Sequence, residues 1–205
     1  MKKFELTNEF VTNMFGTKLF RIRALVEFGD VEAGELGGYV EKESNLGHDD
    51  NAWVYDNAWV YGNAQVSGDA RVYGNAWVYG DAQVSGDARV YGNAWVYDNA
   101  WVYGDAQVSG DARVCGDARV CGNGDYAYAH GFGSVNRTTT FFRLKDGGVG
   151  VRCGCFYGTL AQFRDKIRET HGETKKAQEY LMLADLMELR FEEDENEVGN
   201  RKYVE

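Results

Sequence analysis

Residues 51–68 read NAWVYDNAWVYGNAQVSG, and the next three lines of eighteen, 69–86, 87–104 and 105–122, repeat it as DARVYGNAWVYGDAQVSG, DARVYGNAWVYDNAWVYG and DAQVSGDARVCGDARVCG. The unit is six residues long: Ala, any residue, Val, a Tyr or Ser (Cys at 115 and 121), Gly or Asp, then Asn or Asp. It occurs twelve times between Asn51 and Asn123. No helix has this period. Ala and Val lie two apart and so share one face of an extended strand, while the Gly-Asn, Gly-Asp or Asp-Asn pair after them tolerates positive φ and turns a corner. The pattern predicts strand, corner, strand, corner. Each coil supplies the backbone partners and the apolar floor of the next, so no coil stands alone.

On these residues the chain resembles the hexapeptide-repeat proteins, and that resemblance implies a left-handed parallel β-helix of triangular section with three hexapeptides to a coil. Each Val then fills the centre of the prism and each Ala sits near a corner. Twelve hexapeptides make four coils, a rod about 19 Å long at the strand spacing of about 4.8 Å.

The flanks read as ends for this rod. Residues 1–27 form a β-hairpin, with Lys3–Thr7 and Lys18–Leu25 on either side of a polar loop, placed to cover the first coil and prevent end-to-end stacking. The rod proper takes 28–125, starting with a degenerate entry coil through Leu36-Gly37-Gly38-Tyr39-Val40 and Ser44-Asn45-Leu46. At the far end Tyr126, Tyr128 and Phe132 are expected over the last coil.

The remainder, 126–191, reads as a ββαα module of the α+β kind. Thr138–Lys145 and Val149–Phe156 are its strands, joined by a tight turn at Asp146-Gly147-Gly148. Thr159-Leu160-Ala161-Gln162 is a capping box opening one helix, which Gly172 stops, and a second helix runs over 174–191. That helix carries two apolar stripes, Ala177/Tyr180/Leu181/Ala184/Met187 and Met182/Leu183/Leu186/Leu189, one more than a single contact needs. Residues 192–205 are an acidic tail.

Arg21-Ile22-Arg23-Ala24-Leu25, Leu36-Gly37-Gly38-Tyr39-Val40, the repeats, Thr138-Thr139-Thr140-Phe141-Phe142, Cys153-Gly154-Cys155-Phe156 and Thr170-His171-Gly172 together resemble a group of phage and prophage proteins. This implies a viral or prophage origin and carries no catalytic residue across.

The formal net charge is −10, with much of it in the tail. That balance argues against a protein held on nucleic acid by phosphate contacts. No apolar run reads as a secretory signal or a membrane span, so the expected location is cytoplasmic, the host cytoplasm for a phage-encoded chain. Four cysteines then meet a reducing environment.

Enzymes of the hexapeptide fold are mostly acyltransferases, with a histidine base beside an intersubunit groove, and γ-class carbonic anhydrases, with three imidazoles on zinc. Here the repeats hold no histidine and no inserted loop. His48, His130 and His171 fall in the entry coil, the lid and a helix end. We therefore expect no catalytic residue, metal or cofactor. Cys153 and Cys155 read as small apolar residues on one strand face with Val149 and Val151, while Cys115 and Cys121 read as outward and too far apart to bridge.

Reading every eighteenth residue aligns the outward columns. One face carries Trp59, Trp77 and Trp95 beside Tyr61, Tyr79 and Tyr97, an aromatic wall whose rings should stack and whose bare area should exceed what a monomer leaves exposed. A second carries Trp53, Arg71 and Arg89 beside Tyr55, Tyr73 and Tyr91, a cation–π arrangement. The third holds Gln65 and Gln83 beside Ser67 and Ser85 until Trp101 and Tyr103. At the corners, Asp69, Asp87 and Asp105 align, as do Asn57, Asn75 and Asn93, residue types that such turns require sterically. Gly133–Thr138, with Arg137, reads as a connector that could also hold an anion.

The functional expectation is a non-catalytic binding protein. Its contact residues are Trp59, Tyr61, Trp77, Tyr79, Trp95 and Tyr97, with Arg71, Arg89, Tyr73 and Tyr91 beside them, and they serve a homodimer or homotrimer or a host protein, a defence component included. The alternative is a small-molecule protein: an oligomer sequestering a nucleotide-like signal between subunits, or a divergent acyltransferase.

Overall fold

The computed structural model describes residues 2–133 and 135–192. It is a β-solenoid of about five turns with an antiparallel sheet and two helices at its C-terminal end. Strands β1 (Phe4–Thr12), β2 (Lys18–Ala24) and β3 (Leu36–Val40) are followed by twelve two-residue strands, one per hexapeptide. These are β4 (Trp53–Val54), β5 (Trp59–Val60), β6 (Gln65–Val66), β7 (Arg71–Val72), β8 (Trp77–Val78), β9 (Gln83–Val84), β10 (Arg89–Val90), β11 (Trp95–Val96), β12 (Trp101–Val102), β13 (Gln107–Val108), β14 (Arg113–Val114) and β15 (Arg119–Val120). They stack in three parallel sheets, β3-β5-β8-β11-β14, β4-β7-β10-β13 and β6-β9-β12-β15.

The register is eighteen residues throughout the repeats, as in Trp59 opposite Trp77 and Val60 opposite Val78. The strand hydrogen bonds run between coils: the Trp59 N–H donates to the Ala76 carbonyl at 2.9 Å and the Tyr61 N–H to the Val78 carbonyl at 3.0 Å. Every repeat Ala and Val from Ala52 to Val120 is buried. The entry coil precedes four repeat coils, since Tyr39 pairs with Trp59 and Leu46 with Val66.

Corners need positive φ. Gly80 adopts φ +73°, and a Cβ there would lie 2.9 Å from the Asp98 nitrogen of the next coil. Asp56 and Asp98 hold the same left-handed conformation at φ 52° and 58°. The Asp56 carboxylate accepts the Gly74 N–H of the next coil at 3.0 Å, so this corner is tied to its neighbour. Corner amides form ladders along the rod: Asn51 donates to Asp69, Asn63 to Asp81 and Asn93 to Asp111.

The N-terminal hairpin sits at the first coil of the rod. It extends one sheet, β1-β2-β3, antiparallel, and sends Phe4 and Ile22 into the rod core. Trp53, expected outward, is fully buried, packed edge-on against Phe4 (6.2 Å) and Phe28 (5.3 Å). It sits on the first rung of its sheet, where no earlier ring covers it, so the N-terminal segment does.

The C-terminal sheet has four strands, not two. They are β16 (Tyr126–Phe132), β17 (Arg137–Arg143), β18 (Val149–Cys153) and β19 (Phe156–Thr159), in that order. The segment carrying Tyr126, Tyr128 and Phe132, expected over the last coil, is a strand whose backbone pairs with β17 from Tyr126 to Phe132. The lid residues differ accordingly: Tyr126 and Phe142 close the rod core, while Tyr128 and Phe132 stay partly exposed. Main-chain bonds fix the cap, with the Lys145 N–H on the Asp117 carbonyl at 3.0 Å and the Arg113 N–H on the Thr140 hydroxyl at 2.9 Å.

Cys153 and Cys155 do not share a face, because Gly154 at φ +59° turns the chain between them; Cys155 is exposed. Helix α1 (Leu160–His171) opens on the Thr159/Gln162 capping box, and α2 (Lys175–Phe191) opens on Thr174. Ala177, Tyr180, Ala184 and Met187 face the small core of this end, with Phe141, Val151 and Phe163. Of the second stripe, Leu183 packs at the edge of that core, while Met182, Leu186 and Leu189 are exposed. All of the tail beyond Glu192 lies outside the described residues.

Candidate functional site: the outer faces of the rod

The aromatic wall is built as the spacing predicts. Trp59 stacks on Trp77 at 4.8 Å and Trp77 on Trp95 at 4.9 Å, with planes within 4° of parallel. Tyr61, Tyr79 and Tyr97 stack alongside at 5.0 Å per step. One rung per 4.8 Å brings identical side chains into the same rotamer, so each ring covers its neighbour's face. None of the six is fully exposed, and the expected bare patch is therefore mostly ring edges.

The Trp95/Tyr97 end of the wall is finished by the chain itself. The Arg113 guanidinium lies 4.4 Å over Trp95, in the column position a fourth Trp would take. Tyr97 is buried, with Arg152 of β18 above its ring at 5.9 Å. Cys115, expected outward, is buried beside it. Burial pushes the Cys115 thiol up to about 11 and, with the Cys115 contact adding, raises the Tyr97 hydroxyl well above its ordinary value. Trp59, Tyr61, Trp77 and Tyr79 form the uncovered stretch.

On the second face Tyr73 and Tyr91 stack at 4.9 Å with parallel planes. The ladder does not continue to Tyr55. Its hydroxyl donates to Asp30 at 3.1 Å, and the other Asp30 oxygen pairs with Arg71 at 2.8 Å. Burial, then Asp30, pushes the Tyr55 hydroxyl up to about 12. The expected cation–π pairing at Arg71 gives way to this ion pair. Arg89 makes no ion pair with another described residue, although it is close enough to Tyr73 to act on its hydroxyl. Asp30, Tyr55, Asp56, Arg71, Tyr73 and Arg89 line a shallow cleft of about 240 Å³. Further along the same face Tyr91, Gln107, Tyr126, Tyr128 and Arg190 line another of about 400 Å³.

Asp30 was not legible as a site residue, because nothing local in Gly29-Asp30-Val31 ties it to a repeat forty residues on. Arg113 and Arg119 were also missed, although adding eighteen to Trp95 and Trp101 lands on them; Arg119 lies 4.3 Å over Trp101. On the third face Gln65 and Gln83 pair in register and are exposed.

The three histidines stand apart in structural roles. His48 stacks on Phe4 at 4.5 Å and accepts the Lys3 N–H, His130 bonds the Thr138 hydroxyl, and His171 lies against Tyr180. The Gly133 N–H, considered for an anion, donates to the Glu179 carboxylate at 3.2 Å. No cluster of three or more His, Cys, Asp or Glu among the described residues is arranged to hold a metal ion. No helix of those residues is long and apolar enough to cross a membrane.

This geometry has a counterpart among known families. Residues 64–80, 82–98 and 106–122 match the family model of the YdcK beta solenoid repeat. The matched stretches are all rod, each nearly one eighteen-residue coil, so the likeness concerns the repeat and not the C-terminal sheet and helices. No curated protein matches the chain.

Proposed function

We propose that this is a non-catalytic binding protein, a rigid rod whose uncovered Trp/Tyr wall, with the Arg/Tyr face beside it, is the contact surface. The observation that carries it is the uncovered stretch Trp59, Tyr61, Trp77 and Tyr79: four large rings in register, with mostly their edges turned outward, beside a Trp95/Tyr97 end that the chain itself closes. Such a surface is flat, preorganised and rich in the residue types that anchor interfaces, so binding on it orders little. The first partner it fits is a second copy of this chain. Beyond that, the likeness to phage and prophage proteins supports a host protein, a defence component among them.

The non-catalytic reading accords with the three histidines, which lie apart and each contact a neighbouring residue: His48 with Phe4, His130 with Thr138 and His171 with Tyr180. Sedimentation of the wild type against Trp59→Ala with Trp77→Ala tests the reading. The wild type should run as a dimer or trimer, and the double variant as a monomer with unchanged far-ultraviolet dichroism. Identical masses for the two proteins remove the wall as a self-association surface.

A further inference from the structure

The column Tyr55, Tyr73, Tyr91 is the one aromatic column of the rod whose stack is interrupted within the repeats. Tyr73 and Tyr91 lie parallel, but Asp30 draws Tyr55 aside through its hydroxyl. The face of Tyr73 toward Tyr55 therefore borders the cleft of about 240 Å³ instead of another ring. Elsewhere on the rod that position holds a ring at one coil spacing, as between Tyr61 and Tyr79. The cleft falls below the roughly 300–1,000 Å³ of pockets for drug-sized ligands, a size for one ring system and its substituent.

Its lining is not neutral. Arg71 is held by Asp30 and is part of the frame, whereas exposed Arg89 makes no ion pair with another described residue and is available to an anion. Arg89 lines the same cleft as Tyr55 and Tyr73, where its long side chain can meet an anionic substituent of a ring stacked on Tyr73. Asp56, at the cleft's edge, spends one carboxylate oxygen on the Gly74 N–H. The other remains to accept from a ring edge carrying N–H donors, and an ionised carboxylate accepts only. A stacking face, an acceptor for ring N–H groups and a guanidinium without an ion pair, all lining one cleft, describe one ligand chemistry.

We propose that the cleft between Tyr55 and Tyr73 binds a guanine ring bearing a phosphate, the ring on the open face of Tyr73, its N–H edge on Asp56 and the phosphate on Arg89. Guanine is favoured over adenine because its N1–H and N2–H edge offers only donors to Asp56, whereas adenine sets the acceptor N1 beside its amino group, against an oxygen that accepts only. The site lies within one chain, on a different face from the Trp wall. The Arg/Tyr face also belongs to the proposed contact surface, but sedimentation of the Trp59→Ala/Trp77→Ala variant reads the wall while calorimetry of Arg89→Ala and Tyr73→Ala reads the cleft, so either reading can fail alone.

Calorimetric titration of the full chain with guanosine 5′-monophosphate is the test, beside guanosine, adenosine 5′-monophosphate and a single-stranded oligonucleotide ending in 5′-phosphoguanosine. We expect one saturable site per chain. Removing the phosphate, or Arg89→Ala, should weaken it at least tenfold; Tyr73→Ala should weaken it similarly, and Gln83→Ala on the third face should leave it unchanged. Adenosine monophosphate should bind at least tenfold more weakly, and Asp56→Asn should narrow that gap. Tighter binding of the oligonucleotide assigns the ligand to a strand end, and tighter binding of the mononucleotide to a free nucleotide. Absence of saturable binding by the folded wild type at millimolar ligand, or affinity indifferent to Arg89→Ala and Tyr73→Ala, overturns the proposal.

Discussion

The guanidinium of Arg113 lies 4.4 Å over the ring of Trp95, so the column Trp59, Trp77, Trp95 ends in a cation instead of a fourth indole. The substitution falls at the last coil, where an indole would have no neighbour to cover its outer face. A planar cation can cover Trp95 and still meet water. Arg113→Ala should cost about 1 kcal/mol in urea unfolding and shift tryptophan emission, as Trp95 loses its cover. Arg113→Lys should recover part of both. An unchanged emission spectrum in Arg113→Ala would show that the contact does not persist in solution.

Gly80 and Asp98 follow one another along a corner column, both with positive φ, and they respond to substitution in opposite directions. Gly80→Ala places a Cβ 2.9 Å from the Asp98 nitrogen in a conformation Ala resists, so it should destabilise by about 1–3 kcal/mol. Asp98→Gly relieves the same backbone preference and should be neutral or stabilising by up to about 1 kcal/mol. Thermal melts of the two variants check the contrast, and equal losses would contradict it.

Trp53 shows where the eighteen-residue arithmetic stops. Within the repeats a column position fixes what lies above and below, so the Trp and Tyr stacks, the buried Val and Ala and the left-handed corners could all be read from spacing. At the first rung the neighbour comes from a non-repeating segment, and Phe4, Phe28 and Asp30 reach their partners by contacts no period encodes. The same limit hid β19 and the turn at Gly154, since alternation ran unbroken through Cys153-Gly154-Cys155 while the backbone reversed. Trp53→Ala should therefore act as a core deletion, costing about 3–5 kcal/mol, against well under half of that for the exposed Trp101→Ala. Comparable losses in the two, measured by urea unfolding, would return Trp53 to the surface.

Alkaline pH should separate groups whose shifts have opposite sign. Burial pushes Cys115 from 9.0 up to about 11 and Tyr79 from 10.0 up to about 12. The folded chain then keeps protons that the unfolded chain releases, and stability falls as pH rises through these windows. Lys3 runs the other way. Its ammonium is buried, donating to the Asp50 and Ala52 carbonyls at 3.2 and 2.9 Å, and desolvation lowers it from 10.5 to about 8. Between pH 8 and 10.5 the folded chain gives up that proton first, so this group adds stability as pH rises. Melting temperatures from pH 7 to 11 should fall less steeply above pH 9 in Cys115→Ala than in the wild type. In Lys3→Met they should fall more steeply between pH 8 and 10.5, whatever that variant's stability at neutral pH. Three parallel curves would mean that neither Cys115 nor Lys3 is desolvated in the folded protein.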